Sequence, residues 1–290
     1  MSQNDTTDAK YWYDKGFKEY ESGMFQQAVN SYNQAILINP KFTVAINNRG
    51  NAKFKMGLLA EAQSDYEKAI ATDSTFAKAY FNKGFIKHHM GHLNGALAEF
   101  DKAIKLNPLF ANAYHSRGMT KADMFDYKDA IADYDMAIKC DSKFAFAYYS
   151  RGKAYYKIAN YQQALKDLDI SLELESSYMA YHQRGLTKLE LNDINGAISD
   201  YKNALMYNPN YIDALIDKGI LLTKTGSHFE AIADFNKVLE IDKNNSDAYL
   251  NRGIVYYQLK YKEKALSDWR KAKAFKSTAA VAMLKKFFDE

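Results

Sequence analysis

His88, His89 and His92, with His115 further along, come nearest in this chain to a metal-binding pattern. His88 and His92 stand four apart, a step that places two imidazoles on one helix face, as a zinc site requires. Gly91 interrupts the turn between them, and no carboxylate stands at an obvious third-ligand spacing. His88 and His115 therefore read as polar aromatic surface, and no metal is expected. Cys140 is the single cysteine, which excludes an internal disulfide and a cysteine-based metal site. Serines and threonines are scattered without His and Asp at triad-like positions, and there is no nucleophile elbow or phosphate loop. A catalytic site needs convergent groups held in a pocket, so the expectation is a non-enzymatic chain with no cofactor.

A second pattern concerns phosphate. Lys15, Arg49, Lys83, Arg117, Arg151, Arg184, Lys218 and Arg252 each precede a glycine, and such regular cations resemble a stripe that tracks a nucleic-acid backbone. Fifteen residues after those glycines stand Asp65, Glu99, Asp133, Asp167, Asp200, Asp234 and Asp268, with Ser31 in the first position. Matched ladders on neighbouring helices read as ion pairs with the arginine stems laid along the seam. Each cation could pair within its own repeat or with the preceding one; the spacing leaves both open. Net charge is +4 with acids and bases interleaved, which gives no electrostatic case for nucleic acid or an anionic membrane. Nucleic-acid binding through the basic ladder stays as the alternative function.

The elements that must carry these groups follow from one period. Gly16, Gly50, Gly84, Gly118, Gly152, Gly185, Gly219 and Gly253 lie 34 residues apart, with one step of 33 between Gly152 and Gly185. Twelve residues after each comes an alanine, from Ala28 to Ala265, and four after that a large side chain such as Tyr32, Tyr66, Phe100 or Trp269. A fixed period of this length means stacked helix pairs, with small residues where the axes come closest. Pro40, Pro108 and Pro209 all fall just after a second helix, where proline stops a helix without costing an internal hydrogen bond. The remaining glycines sit in turns (Gly23, Gly57, Gly91, Gly226) or just before the alanine (Gly95, Gly196), so none is left over to cradle phosphate.

In these features the chain resembles the tetratricopeptide repeat family, from about Ala9 to about Thr278 in eight copies. It departs from the family's motif in two places. The leucine before glycine is always basic here, and the tyrosine three after glycine is kept only at Tyr155 and Tyr256. The resemblance implies an all-α, right-handed superhelical solenoid of antiparallel helix pairs. The expected organisation is a flexible N-terminus over 1–8, repeats over 9–276 starting near 9, 43, 77, 111, 145, 178, 212 and 246, and a capping helix over 277–290.

In this family the first helices line a concave channel that binds peptides. That resemblance points inward the positions three and two before, and one and four after, each glycine. They supply an aromatic wall of Tyr13, Phe17, Tyr20, Phe54, Phe81, Phe85, Tyr149 and Tyr156. Beside it runs a polar ladder that includes Asn48, Asn82, Gln183 and Asn251, with Asn51, His88 and His115 on the same face. Amides that donate and accept suit a peptide backbone, and aromatic faces suit apolar side chains. The implied function is a protein-interaction scaffold holding an extended or helical segment of a partner. The carboxylate clamp of co-chaperones is not matched, because Tyr13, Phe17 and Asn82 stand where its Lys, Asn and Arg would be. Residues 1–8 are polar and no stretch approaches the ~20 apolar residues of a membrane span, so a cytoplasmic location is expected.

Overall fold

A computed structural model describes residues 7–289, and within them the chain is helical with no strand. It divides into two compact units inside one helix, the first ending at Ala147 and the second beginning at Tyr148. The first holds α1 (Ala9–Glu21), α2 (Phe25–Ile38), α3 (Thr43–Lys55), α4 (Leu59–Thr72), α5 (Ala77–His89), α6 (Leu93–Leu106), α7 (Ala111–Asp123) and α8 (Tyr127–Cys140). Helix α9 (Ala145–Lys157) carries the division. The second holds α10 (Tyr161–Leu174), α11 (Tyr178–Glu190), α12 (Ile194–Tyr207), α13 (Ile212–Lys224), α14 (His228–Ile241), α15 (Ser246–Gln258), α16 (Lys262–Ala274) and α17 (Thr278–Phe288). Within each unit, consecutive helices pack on one another through short turns, which makes each pair antiparallel. This is the all-α array of helix pairs that the period implies. Of the expected N-terminal and C-terminal segments, residues 1–6 and 290 lie outside the described residues.

The seam inside each pair is a ring laid on bare backbone. A Cβ added at Gly50 would stand 2.6 Å from the Tyr66 ring, and one at Gly185 would stand 2.5 Å from that of Tyr201. The alanines at the seam, such as Ala62 and Ala197, are fully buried, as is the second small position at Ala69 and Ala204. In the fifth pair Leu168 replaces the ring and still comes within 3.0 Å of a Cβ built on Gly152. At the last pair Trp269 fills this place, and Leu284, Phe287 and Phe288 of α17 pack against it. Phe287, which holds the sequence position of a ninth seam glycine, lies 4.4 Å from the Tyr257 ring.

The turn inside each pair needs one left-handed residue. Gly23, Gly57, Gly91 and Gly226 supply it with φ between 75° and 86°. Phe125 (φ 65), Ala159 (φ 58), Asn192 (φ 62) and Lys260 (φ 68) hold the same place without being glycine. An L side chain in that conformation costs roughly 1–2 kcal/mol, and a bulky one has no local hydrogen bond to offset it. Phe125 is largely exposed, so its ring returns little. Phe125→Gly should therefore stabilise the protein by about 1 kcal/mol and raise the Tm by roughly 2–4 °C. An unchanged or lower thermal midpoint would count against the strain argument.

Candidate functional site

The cation ladder is spent on the protein itself. Arg117 donates from Nε to Asp133 Oδ2 at 3.0 Å and from Nη2 to Asp133 Oδ1 at 2.5 Å, while Nη1 reaches back to Asp101 at 2.6 Å. Arg49 makes the same fork onto Asp65, with Asn33 behind it. In the second unit Arg184 grips Asp200 and Asp169, Arg252 grips Asp268 and Asn236, and Arg151 grips Asp167. Arg49, Arg117, Arg184 and Arg252 thus each bridge their own pair and, through the outer nitrogen, the pair before it. Burial alone would lower the Arg117 pKa, but the hydrogen bonds and charges of Asp133 and Asp101 outweigh it and hold the guanidinium protonated.

On the other side of the first helices the expected site residues form two connected groups in the first unit. The amides bond to one another. Asn82 Nδ2 donates to Asn47 Oδ1 at 2.9 Å and to Asn51 Oδ1 at 3.0 Å, which leaves its carbonyl oxygen unengaged among the described residues. Asn48 donates to the Tyr13 hydroxyl at 3.2 Å, and Tyr66 donates to Asn51 at 2.8 Å. Phe54, Phe85 and His89 form a ring cluster with centroids 4.9–5.7 Å apart. Between α1 and α3 lies a hollow of about 80 Å³ lined by Phe17, Tyr20, Tyr32, Asn48 and Asn51. Tyr32 is fully buried; Asn48 stands beside its hydroxyl as a donor, and the hydroxyl hydrogen meets no acceptor among the described residues. Burial pushes that hydroxyl's pKa far up, so it is a neutral donor without an acceptor.

Several expected groove residues are part of the packing rather than its open surface. Tyr13 lies 5.1 Å from Phe42 and 6.0 Å from Tyr32, and Phe81 lies 4.9 Å from Phe110 and 5.9 Å from Phe100. His115, expected as polar surface, is instead buried between Tyr134 and Phe144. His88 pairs with Asp123 at 2.8 Å, and the described residues contain no cluster of His, Cys, Asp or Glu fit to hold a metal. In the second unit Tyr149 and Tyr156 are half-buried, with Tyr156 donating to Glu190 at 3.4 Å. Gln183 is buried with Nε2 unpartnered, and Asn251 turns back to its own helix at Asp247 O.

Models of the tetratricopeptide repeat match residues 44–76, 77–110, 126–158, 180–211 and 219–260, together more than half of the sequence. The chain is a tetratricopeptide repeat protein. No curated protein matches it significantly. YrrB, a TPR protein with an unusual peptide-binding site, is 27% identical with a TM-score of 0.57, over 65% of this chain and 98% of its own. A tetratricopeptide repeat protein from Parabacteroides merdae is 18% identical with a TM-score of 0.54, over 96% of this chain and 97% of its own. A chain of the APC/C hetero-tetramer Cut9-Hcn1 gives 17% and 0.66, over 96% of this chain and 56% of its own. At the last two identities the likeness concerns the fold. The tetratricopeptide repeat is generally a non-catalytic protein-interaction fold. No helix among the described residues is long and apolar enough to cross a membrane.

The geometry explains where this protein departs from the tetratricopeptide motif. Lys53, Lys121 and Lys188 replace the motif's tyrosine and add a second cation to Asp65, Asp133 and Asp200 at 2.8–3.0 Å. The first repeat inverts the arrangement: Glu19 stands on the first helix and accepts from Ser31 at 2.6 Å. In the seventh repeat Leu222 occupies that place, so Asp234 has only Lys218 at 2.9 Å and its Oδ2 is unpartnered. Burial accordingly raises the Asp234 pKa against the pull of Lys218.

Sequence reasoning missed the ring that precedes five of the first helices. Phe42, Phe76, Phe110, Phe144 and Tyr211 stand eight residues before a seam glycine, a period visible in the sequence. It also missed His182, which Asp217 holds at 2.8 Å and Tyr211 at 3.2 Å. Of these loop rings, Phe144 is the one that covers His115.

Burial holds the His115 pKa down to about 4, against 6.5 for a free imidazole. The unfolded chain therefore takes up the proton first, so stability is full above pH 6.5 and falls as pH drops towards 4. The loss reaches about 2–3 kcal/mol. His115→Phe, which installs the ring type of the third repeat, should remove that part of the acid slope, while loss of the imidazole's hydrogen bond to the Phe146 backbone costs about 1 kcal/mol at every pH. Parallel urea titrations at pH 7 and pH 4.5 check it, and equal acid slopes in the two proteins would refute it.

Proposed function

We propose that the first-helix face of the first unit binds a peptide segment of a partner protein, and that the chain is a non-enzymatic interaction scaffold. The observation that carries this reading is the hollow at Tyr32. A buried hydroxyl donor without an acceptor costs about 1–3 kcal/mol, and a ligand carbonyl entering the hollow would recover that. Phe17, 46% exposed at its rim, offers an apolar face, and the Asn82 carbonyl oxygen is available to a peptide N–H. The likeness to YrrB, a peptide-binding member at 27% identity, supports the same reading. The engaged ladder cations weigh against the alternative, nucleic-acid binding.

Peptide-display panning against the protein, followed by calorimetry on the selected peptide, tests the proposal. Tyr32→Phe should leave the unliganded Tm equal or higher, because it removes an unsatisfied group, yet weaken peptide binding by about 1 kcal/mol. Phe17→Ala should weaken it by about 2 kcal/mol, as loss of an interface anchor does. Peptides that bind all three proteins equally would place the site elsewhere.

A further inference from the structure

The end of the chain carries a charge that the whole-chain sum hides. Residues 260–286 hold nine lysines and arginines against Glu263 and Asp268, an excess greater than the +4 of the entire chain. Elsewhere the ladder cations sit on acids. Here Lys262, Lys264, Lys271, Lys273, Lys285 and Lys286 are all exposed, and none has a carboxylate partner among the described residues. Six ammonium groups without a counter-charge on α16 and α17 repel one another, and a partner that neutralises them relieves that repulsion.

The groove between α15 and α16 focuses part of this charge. A hollow of about 330 Å³ is lined there by Arg252, Lys264, Ser267 and Lys271, with Glu263 and Asp268 as its acids. Asp268 is already gripped by Arg252 through two bonds of 2.8 Å, so it offers little to Lys264 or Lys271. At the same repeat positions the second pair has Glu61, Ser64 and Lys68, and the third has Gly95, Ala98 and Lys102. The doubled lysine belongs to this groove and not to the repeat.

We propose that the basic surface of α16 and α17 docks an acidic polypeptide segment of a partner, independently of the first-helix face. Charge complementarity gives the sign, and three features select the class. The lysines come as three pairs, 262 with 264, 271 with 273 and 285 with 286, strung along two helices, which suits a string of single charges better than one compact dianion. The Tyr249, Tyr256 and Tyr261 faces, which bases would need for stacking, are already covered at 5.2–5.7 Å by Arg252, Lys264 and Lys271. In α17, Leu284 is fully buried and the Phe287 ring lies 5.8 Å from Trp269, which leaves Val281, with Phe275 before the helix, as the large exposed apolar side chains there, less than the apolar face of a membrane-surface helix.

The test is fluorescence anisotropy on the full chain with a short labelled poly-glutamate peptide. Binding is expected at low salt, falling as salt rises. Lys264→Glu with Lys271→Glu should weaken it by about tenfold or more, and the Gln pair by less. Lys68→Glu with Lys102→Glu, at the equivalent place in the second and third pairs, should leave it unchanged. Phe17→Ala should also leave it unchanged, which separates this surface from the first-helix face. No binding, equal losses at the two lysine pairs, or tighter lysine-dependent binding of oligo(dT) or of phosphatidylserine vesicles would overturn the proposal.

Discussion

Gly118→Leu should destabilise the first unit by about 3 kcal/mol, the upper end of overpacking costs. The reason is local and geometric. A Cβ alone at Gly118 stands 2.7 Å from Tyr134 Cε1 and 3.1 Å from the backbone oxygen of Ala130. The ring is held from behind, since Tyr134 is 2% exposed and His115 lies 5.6 Å from it. The oxygen belongs to α8 and moves only with the helix. The variant therefore has to part α7 from α8, which loosens the forked contacts of Arg117 to Asp133 across the same seam. Urea denaturation of the variant gives the cost. A second substitution sharpens the test: the fifth pair tolerates Leu168 opposite Gly152, so Gly118→Ala with Tyr134→Leu should lose less than the sum of the losses of the two single variants. A neutral melt for Gly118→Leu, or strict additivity for the double variant, would show that the seam is not ring on backbone.

The same seam shows why the fold was legible in sequence and the site was not. Backbone approach permits glycine and alanine at fixed places and little else, so a requirement of packing became a repeated letter. The ladder was half legible for a comparable reason. Asp101 and Asp133 each stand 16 residues from Arg117, one on either side, so spacing could not choose between them. The guanidinium has enough donors to take both, and the choice does not arise. Groove residues carry no such letter. Whether Tyr13 or Phe81 faces solvent depends on Phe42 and Phe110, which come from the loop before the next first helix. His115 reads as surface in the sequence because its own helix gives a polar place, while Phe144 buries it from another element. The basic excess near the end of the chain escaped for a different reason: a net charge sums over position, and interleaved ladders elsewhere cancel around it.

Asp200→Ala should cost the second unit about 3–5 kcal/mol, the range for breaking a buried ion pair from one side. Asp200 is 1% exposed and accepts from Arg184 Nε at 2.9 Å and Nη2 at 2.7 Å, with Lys188 Nζ at 2.8 Å. Removing it leaves two cations at the seam with only Asp169 remaining to Arg184. Asp234 is the internal control, one repeat later and in the same place. It has Lys218 alone, its second oxygen is unpartnered, and burial already disfavours its charge. Asp234→Asn keeps an acceptor for Lys218 and removes a charge the site holds poorly, so it should change stability by less than about 1 kcal/mol. The pH dependence must follow the same logic. The folded-state pKa of Asp234 is raised, so its charge weakens the fold at neutral pH and that penalty is relieved as pH falls; Asp234→Asn should therefore gain relative stability at pH 7 and lose the advantage in acid. Denaturation curves for the two variants at pH 7 and pH 4 decide the matter. Equal losses for Asp200→Ala and Asp234→Asn would mean that the number of cations around each acid does not set the strength of the seam.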